Sequence, residues 1–153
     1  MSRNSQSSGR RQFLKQSVAL SGLLGAPGVL RAANRHKQLN VAAVGVNGMG
    51  WSDLNNIGTH DGVHFAGFCD IDSSRFDKAD AAYPGVKHWA DYREMFDQLG
   101  TGFDAVIVST PDHMHAPVAM AAMKMGKHVY CQKPLTHTVW EARQLNQMAA
   151  KAG

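Results

Sequence analysis

Four short stretches carry residues whose types and spacing suit chemistry. In YCQKPL (130–135), Lys133 is followed by Pro134, whose ring restrains the backbone beside an ammonium group. Such a cation could bind a substrate hydroxyl, or assist its deprotonation where its pKa is depressed. The plain alternative is a solvated lysine in a turn. In STPDHMHAP (109–117), Thr110 and Pro111 suit packing on the nicotinamide-ribose side of a dinucleotide, and two imidazoles follow at His113 and His115. Two histidines without a third ligand make a poor zinc site, so no metal is expected. Capping, packing, and a cofactor or substrate role stay open for them. Asp70 ends VHFAGFCD (63–70), where a carboxylate could hydrogen-bond an adenosine ribose. In VGVNGMG (44–50), Gly45, Gly48 and Gly50 could make a phosphate-cradling loop, with Asn47 where G-x-G-x-x-G wants its second glycine. A simple glycine turn would use the same residues.

These stretches are positioned by an alternation of strand and helix. Short apolar runs at 39–46 (rich in valine), 63–70, 103–110 and 127–132 predict strands, and 85–90 a short edge strand. Residues 105–108 are continuously apolar, which marks a central parallel strand covered on both faces. Helices are predicted over 49–58, 73–83, 91–99 and 117–125, and from Thr138 onward. Asp91 with Glu94, and Thr138 with Glu141, have capping-box spacing. Pro117 in a first turn and Gly126 just past an end fit the usual helix asymmetry. Loops this short allow only right-handed crossovers, so the expected fold is α/β with a doubly wound parallel sheet. All four chemical stretches then fall at the carboxyl ends of strands, where such sheets bind ligands. Asp70 lies 20 residues beyond Gly50, the spacing of a ribose-binding acid, and its charge opposes a 2′-phosphate. That favours NAD, while Arg75 nearby keeps NADP open.

The net charge of +4 over 153 residues is no argument for nucleic-acid binding. Seven basic and no acidic residues lie within the first 37, which leaves the remainder about three charges negative. The front instead reads as an address. GRRQFLK (9–15) precedes an apolar run at 17–30 and small residues at 32–33, the layout of a secretory signal. Arg10-Arg11 with Phe13, Leu14 and Lys15 resembles a twin-arginine signal. The expected division is an export segment at 1–36 and a folded domain at 37–153, exported to the periplasm after folding in the cytoplasm. A disordered basic tail followed by an uncleaved amphipathic helix is the alternative. The apolar run is shorter than about 20 residues and broken by glycine and proline, so no stable membrane span is expected. Met120, Met123 and Met125 suit core filling.

Taken in order, the loop glycines, the strand-end Asp70, TPDHMH and the strand-end Lys-Pro resemble the N-terminal domain of the Gfo/Idh/MocA oxidoreductases, over about residues 38–150. The resemblance implies a Rossmann domain that binds a nicotinamide dinucleotide, with hydride transfer at a sugar, cyclitol or related polyol carbon. It implies that Gly45, Asn47, Gly48 and Gly50 form the phosphate loop and that Asp70 is the ribose carboxylate. Thr110, Pro111, His113 and His115 correspond to the loop near the nicotinamide. Gln132, Lys133 and Pro134 correspond to the family's Glu-Lys-Pro, with the lysine at the substrate and the proline at the cofactor. Gln132 departs from the usual glutamate. Members of the family continue into a second domain that shapes the sugar pocket, and this chain stops at Gly153. The expectation is therefore the cofactor half of an oxidoreductase with its substrate domain absent; the alternative is a catalytically silent nucleotide-binding module or gene fragment. A homo-oligomer is compatible with either.

Two cysteines remain, Cys69 and Cys131. In a 3-2-1-4-5 strand order their strands lie three spacings apart, roughly 14 Å, beyond the about 7 Å that a disulfide spans. They are expected as free thiols.

Overall fold

The computed structural model describes residues 38–152, so the expected export segment at 1–36 lies outside the described residues. Five parallel strands form one sheet in the order β3-β2-β1-β4-β5. They are β1 (Leu39–Val44), β2 (Val63–Cys69), β3 (His88–Trp89), β4 (Ala105–Val108) and β5 (His128–Cys131). The crossovers carry α1 (Met49–Ile57), α2 (Asp77–Ala82), α3 (Tyr92–Leu99) and α4 (Asp112–Lys124), and α5 (Val139–Ala152) comes after β5. Strand order reverses between β1 and β4, which puts the switch point where the glycine loop and residues 109–111 leave the sheet.

The central strand shows why the sheet is buried on both sides. Val41 and Ala43 face a core with Leu54 of α1, Phe65, Phe76, Ala79 and Ile107. Ala42 and Val44 face the opposite core, with Met95 and Phe96 of α3 and Val118 and Ala122 of α4. A β1 of valines and alanines is thin enough to be sandwiched so, while the bulk comes from the layers around it.

Strand β2 departs from simple alternation. Val41 pairs with Phe65 but Ala42 pairs with Gly67, so Ala66 is an extra residue in the strand. The bulge reverses the facing of the residues beyond it: Phe65 and Phe68 share one core, and Cys69 joins the other. Gly67 is required there, because a Cβ would sit 2.6 Å from the Trp89 ring carbon Cζ3. The Trp89 ring is packed in the buried core, so relieving the contact means shifting its neighbours as well. Gly67→Ala is therefore expected to destabilise the domain by about 1–3 kcal/mol, read as a lower urea midpoint with unchanged slope.

Two helix boundaries differ from expectation. The stretch 73–83 is split, because the Asp72 carboxylate accepts the Ser74 N–H and holds a 3-10 turn at Ser73–Arg75 before α2 begins. Helix α4 starts at Asp112 rather than beside Pro117, with Pro117 inside it. The Thr138–Glu141 capping box is formed reciprocally: Thr138 N–H donates to Glu141 Oε2 at 2.8 Å, and Glu141 N–H donates to Thr138 Oγ1 at 3.2 Å. No helix among the described residues is long and apolar enough to cross a membrane.

Candidate functional site: a dinucleotide cleft at the switch point

The glycine loop is a backbone device. Gly45 directly follows β1 at φ +84°, and a Cβ there would lie 2.5 Å from the Ser109 carbonyl oxygen. A Cβ on Gly50 would collide with the Gly45 carbonyl oxygen. Those two glycines let β1, the start of α1 and the end of β4 converge. Gly48, at φ +55°, caps α1 and faces open space. Asn47 has no positive φ, so its tolerance of left-handed backbone is not what admits it. Its Oδ1 instead accepts the Gly48 N–H at 2.7 Å, and its carbonyl accepts the Gly50 N–H at 3.0 Å.

Asp70 reaches this loop from the end of β2. One carboxylate oxygen accepts the Val46 N–H and the other the Asp72 N–H, each at 3.2 Å, so its orientation is set by backbone. Beyond it, Arg75 Nε donates to Asp72 Oδ2 at 3.1 Å. The Ser74 hydroxyl, then Arg75, hold the Asp72 carboxyl below the usual carboxylate range. At the far wall, the Arg93 backbone and side-chain N–H groups lower the Asp91 pKa likewise.

These groups border a cleft of about 530 Å³ whose lining includes Gly45, Asn47, Asp70, Thr110, Pro111 and His113. Thr110 Oγ1 is fully buried and has no hydrogen-bond partner among the described residues. A buried hydroxyl without a partner, beside glycines that keep side chains out, fits a ligand with polar atoms to offer.

His115 lies elsewhere. It is 1% exposed, and its ring nitrogens sit 2.7 Å from the carbonyl oxygens of Pro134 and Thr110. Of the roles left open for it, packing is the one these contacts support: it braces two loops beneath the cleft. Gln132, Lys133 and Pro134 also stay out of the cleft lining. Lys133 is exposed, and no hydrogen bond or ion pair engages its ammonium among the described residues. The peptide between Lys133 and Pro134 is cis. Gln132 is not free either: its amide donates to Asp53 and accepts the Lys133 N–H. Asp53 is a site residue that the sequence reading misses, although it is the one charged residue in the sequence of α1. Ile71, 91% exposed beside Asp70, is a second unforeseen part of the cleft wall.

Both cysteines are free, separated by the strand order as expected. Burial, then the charges of Asp70 and Asp91, push the Cys69 thiol up to about 12. Burial pushes Cys131 up to about 11. Neither is a nucleophile near neutral pH.

Comparison with known proteins agrees with this geometry. A model of an oxidoreductase family with an NAD-binding Rossmann fold, Gfo/Idh/MocA, matches residues 39–153. A glycosyl hydrolase family 109 protein of Shewanella sp. (strain ANA-3) is 31% identical over 88% of this chain and 31% of its own length. The crystal structure of an NAD-binding oxidoreductase from Klebsiella pneumoniae is 29% identical, with a TM-score of 0.63 over 76% of this chain and 32% of that one. GenD2 from gentamicin A biosynthesis, in complex with NAD, is 26% identical, with a TM-score of 0.69 over 76% of this chain and 33% of that one. The chain spans about a third of the length of these relatives. With the glycine loop, the strand-end carboxylate and the cleft between them in place, the chain belongs to the Gfo/Idh/MocA oxidoreductase family, whose NAD-binding Rossmann domain it carries.

Proposed function

We propose that this chain is the nucleotide-binding part of an oxidoreductase that works by hydride transfer on a sugar, cyclitol or related polyol. The observation that carries the reading is the meeting of the glycine loop, Asp70 and the unpartnered Thr110 hydroxyl in one cleft at the switch point. The bound dinucleotide would supply the hydride acceptor. Gly45, Gly48 and Gly50 let the backbone approach the pyrophosphate at the start of α1, where N–H groups and the helix dipole favour an anion. Asp70, already oriented by the Val46 and Asp72 amides, accepts the ribose hydroxyls. Thr110, Pro111 and His113 border the nicotinamide side, with Pro134 beyond them. Lys133 offers its ammonium to the substrate hydroxyl and withdraws the proton when neutral. Gln132 and His115 act from behind, by fixing the loops that carry these groups.

The affinity of the chain for NADH, followed by nicotinamide fluorescence, tests the cofactor reading. Binding below about 1 mM is expected, and none of NADH or NADPH at that concentration would sink it. Asn47→Gly is expected to tighten NADH by about two- to tenfold, because it frees the Gly48 N–H from Asn47 Oδ1 for the phosphate. Weaker binding would mean that the asparagine adds a contact of its own.

The relative named as a glycosyl hydrolase favours a second reading of the same site, in which a glycosidic bond is cleaved by water with no net oxidation of the sugar. Accumulation of NADH with sugar, against release of free sugar without it, separates the two in the longest product of the gene. Export to the periplasm through residues 1–36 is part of the proposal, supported by Arg10-Arg11 ahead of the apolar run. A reporter fused to those residues should reach the periplasm and lose that ability when both arginines become lysine.

A further inference from the structure

Asp53 and His115 are the buried polar side chains among the described residues. Asp53 sits one turn beyond Gly50 in α1, and its carboxylate gathers two distant loops. Oδ2 accepts the Ser109 hydroxyl from the end of β4 at 2.7 Å. Both oxygens accept Gln132 Nε2 from the end of β5, at 3.0 and 3.1 Å. The other end of the same amide, Gln132 Oε1, accepts the Lys133 backbone N–H at 3.0 Å. Residue 132 must therefore donate on one side and accept on the other. An ionised carboxylate only accepts, whereas an amide does both. A glutamate at 132 would set two carboxylates against each other in a buried place. The glutamine in this chain's Gln-Lys-Pro is the answer to an aspartate 79 positions away.

We propose that Asp53 and Gln132 form a matched pair, and that through this pair Asp53 is the positioning residue for Lys133. The carboxylate orients the amide, the amide holds the Lys133 peptide, and the same carboxylate holds Ser109 directly before Thr110. One buried group thus ties the loop that enters the cleft at Ser109 and the Gln132–Lys133 loop beside it to the phosphate-loop helix. The consequence for substrate rests on the proposed function of Lys133; the pairing itself does not.

The test uses the unliganded chain with Gln132→Glu, Asp53→Asn and the double variant, by thermal midpoint between pH 5 and pH 8. Asp53 is hydrogen-bonded to Ser109 just past β4 and to Gln132 just past β5, no ion pair engages it among the described residues, and the next residue after Gln132 is the exposed Lys133. In Q132E, two carboxyls in contact retain a proton that the unfolded chain gives up, so stability falls as pH rises. Its midpoint should drop by about 5 °C or more across that range relative to the wild type. In D53N/Q132E the amide and the carboxylate trade places, and the extra slope should vanish. If Q132E never folds and the double variant does, the same coupling is read as rescue. At pH 8 the Lys133 amide of Q132E should exchange hydrogen at least about tenfold faster than in the wild type or the double variant. A Q132E slope parallel to the wild type, or a double variant no better than Q132E, overturns the pairing. Unchanged exchange at Lys133 overturns the positioning role. No nucleotide is present, so these outcomes are independent of whether the chain binds NADH.

Discussion

Gly50→Ala should lower the thermal midpoint by more than about 10 °C and abolish measurable NADH binding at nucleotide concentrations that saturate the wild type. The added methyl would collide with the Gly45 carbonyl oxygen. Both partners are backbone, so no rotamer change relieves the contact, and either α1 must lift from the sheet or β1 must shift. Gly45 is tethered in turn, because its N–H donates to the Cys69 carbonyl at 2.8 Å. The cost is expected to exceed about 3 kcal/mol, above the usual range for an added methyl in a core. The effect on binding exceeds the effect on stability, since lifting α1 withdraws the helix N-terminus from the phosphates. A Gly50→Ala chain that binds NADH within twofold of the wild type would show that this contact does not shape the loop. Gly48→Ala is the useful contrast. Its site opens on space, so the penalty is the strained φ of +55° alone and the fold survives.

Nucleotide choice should respond to two carboxylates in opposite ways. Asp72→Asn is expected to improve NADPH affinity by about tenfold while leaving NADH within about twofold. The asparagine can still cap Ser73–Arg75, but it no longer neutralises Arg75, whose guanidinium becomes available to a 2′-phosphate. Asp70→Asn is expected to weaken NADH by about tenfold, through loss of the ionised acceptor for the ribose hydroxyls. Together the two changes should shift the NADPH-to-NADH preference about a hundredfold. Parallel titration of both nucleotides against the three variants reads the shift. An Asp72→Asn chain that gains nothing for NADPH would mean that Arg75 cannot reach the phosphate, and that Asp70 alone sets the preference.

The parts of the site that were legible in the sequence are those written in local chemistry. Gly45 and Gly50 announce a close approach, Asp70 stands at a strand end, and the Thr138–Glu141 box marks a helix start. The misplacements have local causes that act against one another. A proline usually marks a first turn, yet α4 starts at Asp112 and carries Pro117 within it. The stretch 73–83 reads as one helix, yet the Asp72 carboxylate accepts the Ser74 N–H and leaves a 3-10 turn ahead of α2. The bulge at Ala66 is invisible to any alternation rule, since one extra residue reverses the rule midway.

By itself the sequence determined the strand-helix alternation, the parallel sheet with the cleft-forming loops at its carboxyl edge, and two cysteines too far apart to pair. These are consequences of periodicity, loop length and backbone stereochemistry, which act over a few residues. Only the tertiary structure decided which polar groups point into the cleft and which brace it from behind. His113 lines the cleft and His115, two residues on, is buried between two carbonyl oxygens. Asp53 and Gln132, 79 positions apart, meet because α1 and the end of β5 converge there. A side chain's role at such a site depends on what partners remain for its hydrogen bonds once the chain has folded, and those partners come from other strands.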